Sequence, residues 1–321
     1  MKGLYTASVA IIFVCMVLFP LFSMRETVIP TPPQDDGEIG YEEAKTDEFR
    51  LLLTKEEKVI TLSADDYICG VVSAEIGAES SEEALKAQAV AAYTFACRRK
   101  AMRTNEKYDM SDDYSTDQAY LSIDDMKARW GDNYEQYYNK VMSAVKSVSG
   151  EMLLYENKPI LSVYHDISGG KTEAAENVWG EVYPCLSAVE SVGDVLSPNY
   201  LSSVTVSVDD MKAYIAELDG SAEGDVDTWI GEPVRSPSGY VLNLTLGGKD
   251  ISGVDIRKRF SLRSANFDVE YKEEGFVFTV RGNGHGVGMS QYGAQFMALQ
   301  GSKYNEILAW YYPGATLQKN T

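Results

Sequence analysis

Apolar and polar positions alternate along "KVITL", Lys58 to Leu62, which predicts a strand. Ser63 followed by Asp66 resembles a capping box, with Asp in place of Glu or Gln, and predicts a helix to about Ile76 that stops before Gly77. A second helix follows in "SSEEALKAQAVAAYTFACRRK", capped by Ser80 or Ser81. Glu82 and Glu83 suit its positive end, and Arg98, Arg99 and Lys100 its negative end. Its middle is Ala-rich on nearly every side, the pattern of a helix buried all round. "DMKARWGDNYEQYYNKVMSAVKSVSG" reads as one further helix ending at Gly150. Strand signals then dominate, with hairpins expected around Asn157-Lys158 and Gly247-Gly248. "DDMKAYIAEL" and "GVDIRKRFSL" read as short helices and "EGFVFTVRG" as a strand. "SQYGAQFMALQG" and "SKYNEILAWYYPG" are closing helices with Ser starts and Gly stops. Helices and hairpins mix without strict alternation, so the expected class is α+β.

The N-terminus changes this picture. Leu4 to Phe22 carries no charge and is long enough to span a bilayer, so residues 4–23 are expected to form a transmembrane helix behind a tail of residues 1–3. Lys2 precedes the span and acidic residues follow, which places the tail in the cytoplasm and the bulk outside. A cleaved signal peptide is the competing reading. Residues 24–47, rich in Pro and acids, read as a flexible linker, leaving 48–321 as the ectodomain. Among 321 residues, 48 Asp and Glu against 29 Lys and Arg give a net charge of −19, which argues against nucleic acid and anionic lipid surfaces as ligands. Cys69, Cys97 and Cys185 follow no paired spacing and read as small buried hydrophobes.

Several groups offer chemistry. Glu75 lies at the end of an apolar helix, where burial would raise a carboxyl pKa toward that of a general acid. The same spacing also fits the wet face of an amphipathic helix. Lys86 is the sole cation in a small apolar run, placed either to polarise a substrate oxygen or to snorkel to solvent. Tyr164, His165 and Ser168 stand at a strand end before Gly169-Gly170, which fits a carbohydrate site as well as a hairpin end with core aromatics. "RGNGHGVGMSQYGAQ", Arg281 to Gln295, passes from strand through a Gly-rich loop to helix, but no second strand completes a βαβ unit and no G-K-[ST] follows, so it is not a nucleotide loop. G-x-S-x-G is absent, and no close-spaced ligand set supports a metal. What remains is a loop of amides with His285, Ser290, Gln291 and Tyr292 at a helix start, suited to an uncharged polymer.

"YICGVVSAEIGAESSEEALKAQAVAAYTFA", "SVYHDISGGKTEAAENVWG", "SGVDIRKRFSLRSANF" and "GNGHGVGMSQYGAQFMALQG" together resemble the stage II sporulation protein D family, over nearly all of residues 58–317. The resemblance implies a two-lobed α+β ectodomain with a substrate cleft. It implies a lytic transglycosylase that cleaves peptide-stripped peptidoglycan glycan strands during forespore engulfment, from the mother-cell membrane at the septum. Its catalytic glutamate falls on Glu75, its A-L-K-A-Q-A lysine on Lys86, and its G-H-G-x-G-M-S-Q-Y-G motif on Gly284 to Gly293, placing His285, Ser290, Gln291 and Tyr292 by the cleft. Implied partners are stage II sporulation proteins P, an amidase, and M; no cofactor is implied. Some relatives bind zinc through a Cys/His cluster just before a C-Q-V-Y-like segment. Here that segment is "DDYSTDQAY" without Cys or His, and the usual Arg of the "AARTY" pattern is Tyr93. The competing class is a non-catalytic wall-binding module that recruits or stimulates an amidase, a function that related domains of the wider family also have.

Overall fold

The computed structural model describes residues 44–103 and 107–319. The expected membrane span and most of the linker lie outside these residues; among the described residues no helix is long and apolar enough to cross a membrane. Glu48–Leu53 (β1) and Lys58–Ser63 (β2) pair antiparallel from Glu48↔Ser63 to Leu53↔Lys58. Ser63 then caps Ala64–Glu75 (α1), its hydroxyl oxygen accepting the Asp66 N–H at 3.1 Å. Glu82–Met102 (α2) starts after Ser81, and between Ala84 and Cys97 every residue except Lys86 is buried. Alanine makes this possible, because its small side chain lets neighbouring elements approach on every face. Met110–Ser111 (β3) adds to β1 in parallel.

The single helix expected before Gly150 is two. Ile123–Trp130 (α3) and Tyr134–Ser147 (α4) are separated by a 3₁₀ turn, Gly131–Asn133. Gly131 ends α3 with φ of 52°, a conformation that breaks helical continuity. Met152–Tyr155 (β4) and Lys158–Pro159 (β5) form the first expected hairpin, but its turn residues are Glu156 and Asn157, at φ 51° and 63°. Asn157 suits the left-handed backbone, and Lys158 is taken up in the ladder opposite Tyr155, which leaves Glu156 as the other turn residue. Tyr164–His165 (β6) and Ala175–Trp179 (α5) follow.

Residues 201–281 build a separate apolar interior. Leu201–Val206 (β7) leads into Val208–Glu217 (α6). Val234–Arg235 (β8), Val241–Leu246 (β9) and Lys249–Ser252 (β10) make one sheet, with the expected hairpin turning at Gly247-Gly248. Gly253–Arg259 (α7) precedes Phe267–Lys272 (β11) and Gly275–Arg281 (β12), which form the order β11-β12-β7. Met211, Ile215, Leu246, Phe267, Phe276 and Phe278 fill this cluster. The chain then returns through Met289–Ser290 (β13), Gln291–Leu299 (α8), Tyr304–Tyr311 (α9) and Thr316–Gln318 (β14) to the first interior, built on Tyr67, Val71, Leu85, Val90 and Leu153. The cap of α9 is Lys303 rather than Ser302, because the Glu306 carboxylate accepts the Lys303 N–H at 2.8 Å. The class is α+β as expected, with two apolar interiors; the cleft between lobes belongs to the functional proposal below.

Gly70 fixes how α1 meets residues 120–121. A Cβ there would strike the Tyr120 ring and stand 2.9 Å from the Leu121 carbonyl oxygen, whose own N–H donates to Gly70 at 3.2 Å. Gly70→Ala is expected to cost about 1–3 kcal/mol by overpacking, read as a lower midpoint in urea denaturation at unchanged m-value.

Candidate active site at Glu75 and the glycine-rich loop

Glu75 stands at the last residue of α1, half-buried, and the segment Asp117 to Tyr120 reaches it through Ala119. Ala119 N–H donates to Glu75 Oε1 at 3.0 Å. Gln118, 3% exposed, accepts from the Tyr67 hydroxyl at 3.2 Å and bonds the Tyr164 hydroxyl at 2.9 Å. Asp117 anchors the segment: its carboxylate takes Arg99 Nε at 2.9 Å, Arg103 Nη1 at 3.0 Å, and Ser111 Oγ at 2.7 Å. Tyr120 packs on Gly70. Arg99, assigned by the sequence to the end of α2, and Arg103, its C-cap residue, therefore hold the segment that holds Glu75. Burial first, and then the charge of Glu75, push the Tyr164 phenol well above its ordinary value, so it stays protonated.

Tyr164 joins this group to the glycine-rich loop. β6 pairs in parallel with β13, Tyr164 with Met289 and His165 with Ser290. One residue then serves two rings: His165 Nδ1–H donates to the Val287 carbonyl at 3.0 Å, and Val287 N–H donates to His285 Nδ1 at 3.0 Å. A carbonyl only accepts and an N–H only donates, so the pattern fixes both imidazole tautomers. Burial is the main cause that lowers His165 to about 4, and burial with the neighbouring His165 takes His285 well below its ordinary value. Both rings are neutral at physiological pH and act as spacers between backbone segments. Gly288, at φ 72°, lies so close to Val163 that a side chain would meet its carbonyl oxygen.

A carboxylate that sequence reading passed over locks the loop in place. Asp194, 0% exposed, accepts Ser168 N–H at 2.8 Å, the Ser168 hydroxyl, and Ser290 Oγ–H at 2.8 Å. Burial raises its pKa despite these donors. Ser290 also caps α8, its oxygen accepting Gly293 N–H at 3.1 Å. Ser168, His165 and Ser290 are thus interior groups, at 0%, 4% and 0% exposure, and do not face solvent. Gln291 is buried against Gln88 at 3.4 Å, and Tyr292 reaches the Leu196 carbonyl at 3.3 Å. Lys86 pairs with Glu82 at 2.6 Å and Glu83 at 3.3 Å on its own helix, and the bond to Glu82 raises its pKa. Tyr93, in place of an arginine, turns its hydroxyl to the Thr46 carbonyl at 2.9 Å. The buried cysteines are free, and burial pushes Cys69 and Cys97 up to about 12, which leaves them unreactive thiols.

Of the residues picked from sequence, the structure gathers Glu75 and Tyr164 at one place and puts His165, Ser168, His285, Ser290 and Gln291 behind them as supports. Asp117, Gln118 and Asp194 were missed. The signal for the first two was a carboxylate and an amide inside "DDYSTDQAY", a segment read only for its lack of metal ligands. Asp194 had no local signal, since its partners lie 26 and 96 residues away.

The chain matches the family model described as Stage II sporulation protein over residues 53–155. Stage II sporulation protein D of Bacillus amyloliquefaciens is 38% identical over 272 residues, covering 83% of this chain and 77% of that protein. The protein of that name from Bacillus subtilis is 35% identical over 299 residues, covering 92% and 85%. The Amidase enhancer of Bacillus subtilis is 26% identical over 300 residues, covering 77% of this chain and 40% of that protein. An α+β protein with this loop and this coverage is a sporulation protein: the chain belongs to the stage II sporulation protein D family.

The neutral histidines give the site a pH dependence of stability. A base whose folded pKa is depressed contributes stability that is present above the unfolded value, near 6.5, and is lost as pH falls toward the folded value, about 4 for His165. Between pH 7 and pH 5 the wild type is expected to lose about 2 kcal/mol more than a His165→Gln variant, measured by urea unfolding at each pH.

Proposed function

We propose that the chain is a lytic transglycosylase of peptidoglycan, acting on peptide-stripped glycan strands during engulfment, with Glu75 as its single acid and base. The observation that carries this reading is the arrangement at Glu75: a half-buried carboxylate held by a backbone N–H at 3.0 Å, beside a tyrosine hydroxyl that stays protonated. A glycosidase that uses water needs a second carboxylate across the bond. A lytic enzyme does not, because the C6 hydroxyl of N-acetylmuramic acid attacks its own C1, and proximity replaces the second group. Glu75 gives its proton to the glycosidic oxygen, and N-acetylglucosamine leaves as an alcohol. As the C6 oxygen bonds to C1, its proton passes to the Glu75 carboxylate, closing the 1,6-anhydro ring and restoring the acid. No water is consumed. The strand would lie in a cleft between the two apolar interiors, with the domain outside the membrane, anchored by residues 4–23, and with stage II sporulation proteins P and M as partners.

The likeness to an amidase enhancer supports a second reading, a wall-binding module that stimulates an amidase without cleaving glycan. The two part on products. Glu75→Gln keeps the side chain's shape and removes its proton chemistry. The expected outcome is a folded variant that binds glycan and releases no anhydro-sugars from amidase-treated sacculi, a rate loss of roughly a hundredfold or more. Mass spectrometry of the digest decides it: release at the wild-type rate removes Glu75 from the mechanism, and no release by the wild type itself supports the module.

A further inference from the structure

The amide of Gln118 decides where the Tyr164 proton goes. Gln118 Nε2 lies 3.4 Å from the Ala92 carbonyl oxygen and 2.9 Å from Tyr164 Oη, while Oε1 lies 3.2 Å from Tyr67 Oη. A carbonyl oxygen can only accept, so the edge facing Ala92 is the NH2 edge, and this settles the amide's orientation. The same NH2 donates to Tyr164, whose oxygen therefore accepts. The two tyrosines are thus opposites. Tyr67, 0% exposed, spends its proton on Gln118 Oε1. Tyr164, half-buried, keeps its proton, and among the described residues no acceptor is hydrogen-bonded to it. Consecutive residues link the two groups, Gln118 bonding Tyr164 and Ala119 bonding Glu75 Oε1, and burial, helped by the charge of Glu75, raises the Tyr164 phenol.

We propose that Gln118 is a positioning residue: by donating to Tyr164 Oη it turns the Tyr164 O–H out of the interior and into the space beside Glu75, where it donates to a sugar oxygen of the glycan. The proposal rests on the lytic reading of Glu75 given above. A phenol free to rotate would divide its proton between the interior and the substrate. Gln118 removes the interior choice before substrate arrives, which is preorganisation of a donor toward a site of developing charge. Asp117 serves the same end one residue earlier, since its ion pairs with Arg99 and Arg103 fix the backbone from which Gln118 projects.

The test exploits the donor and acceptor chemistry at position 118. Gln118→Glu keeps the shape and the acceptor for Tyr67, but offers Tyr164 only an acceptor, which draws its proton inward. The rates kcat and KM for anhydro-end release from amidase-treated sacculi are measured for Gln118→Glu, for Tyr164→Phe and for the double variant, with glycan binding and thermal melting followed in parallel. Each single variant is expected to lose roughly tenfold or more in kcat with KM little changed. The double variant is expected to be no slower than Tyr164→Phe alone. The proposal is overturned if Gln118→Glu leaves kcat unchanged, or if it costs the same factor in the Tyr164→Phe background, for it would then act on Glu75 directly or through packing. Should Gln118→Glu fail to fold, Gln118→Met, which neither donates nor accepts there, is read in both backgrounds. A kcat loss that vanishes in the Tyr164→Phe background supports the proposal; no loss, or one that persists, overturns it. The underlying reading fails in a different way, by activity surviving in Glu75→Gln or being absent from the wild type.

Discussion

Two rungs of parallel strand pairing, Tyr164 with Met289 and His165 with Ser290, carry the arrangement of the site. They join segments more than 120 residues apart in sequence, and a ladder this short has little stability of its own. Its surroundings supply what it lacks. The Val287 backbone bonds both histidines, and Asp194 bonds Ser168 on one strand's segment and Ser290 on the other's. Each of these groups is buried, so each bond forms where water does not compete, and losing one partner would leave a polar atom stranded. Geometry on the Glu75 side follows from this join, because Tyr164 belongs to both.

The charges of the site are arranged by depth. The net charge of −19 belongs to the whole chain, while the two imidazoles near the loop are neutral, burial lowering both with help from the charge of the buried Arg257. Where carboxylates do enter the interior they meet donors: Asp117 finds two arginines, and Asp194 finds hydroxyls and a backbone N–H. Lys86, a candidate in the sequence for meeting substrate, is occupied by the acids one turn before it.

Much of the fold was legible because its signals are local. Ser63 with Asp66, the Ala-rich run of α2, and Gly247-Gly248 each state their own structure within a few residues. The errors were local as well: Gly131 looked tolerable inside a helix, and a one-residue shift placed a hairpin turn on Lys158 instead of Glu156. Short strands such as β3, β6 and β13 have no periodicity to read, since two residues cannot alternate. At the site, Glu75 and Tyr164 stand out in the sequence by residue type and lie together in the structure. The residues that hold them act across long sequence separations, and nothing in "DDYSTDQAY" says that its amide meets a tyrosine forty-six residues on.

The glycines of the loop lead to a different kind of conclusion. At Gly286 and Gly288 the backbone is left-handed, and a side chain would run into the Tyr240 ring or the Val163 carbonyl oxygen. These positions are held by steric exclusion, and the polar residues that flank them, His285 and Ser290, are spent on internal bonds. The most recognisable signature in the chain is therefore an architectural mark. If Glu75 is the acid, as proposed above, a homologue that retained the motif while losing that carboxylate would keep the same scaffold without the chemistry, and inheritance of the motif and inheritance of activity would be separable traits. On the lytic reading proposed above, what separates a member that cuts from one that merely binds lies at the far end of an unremarkable apolar helix.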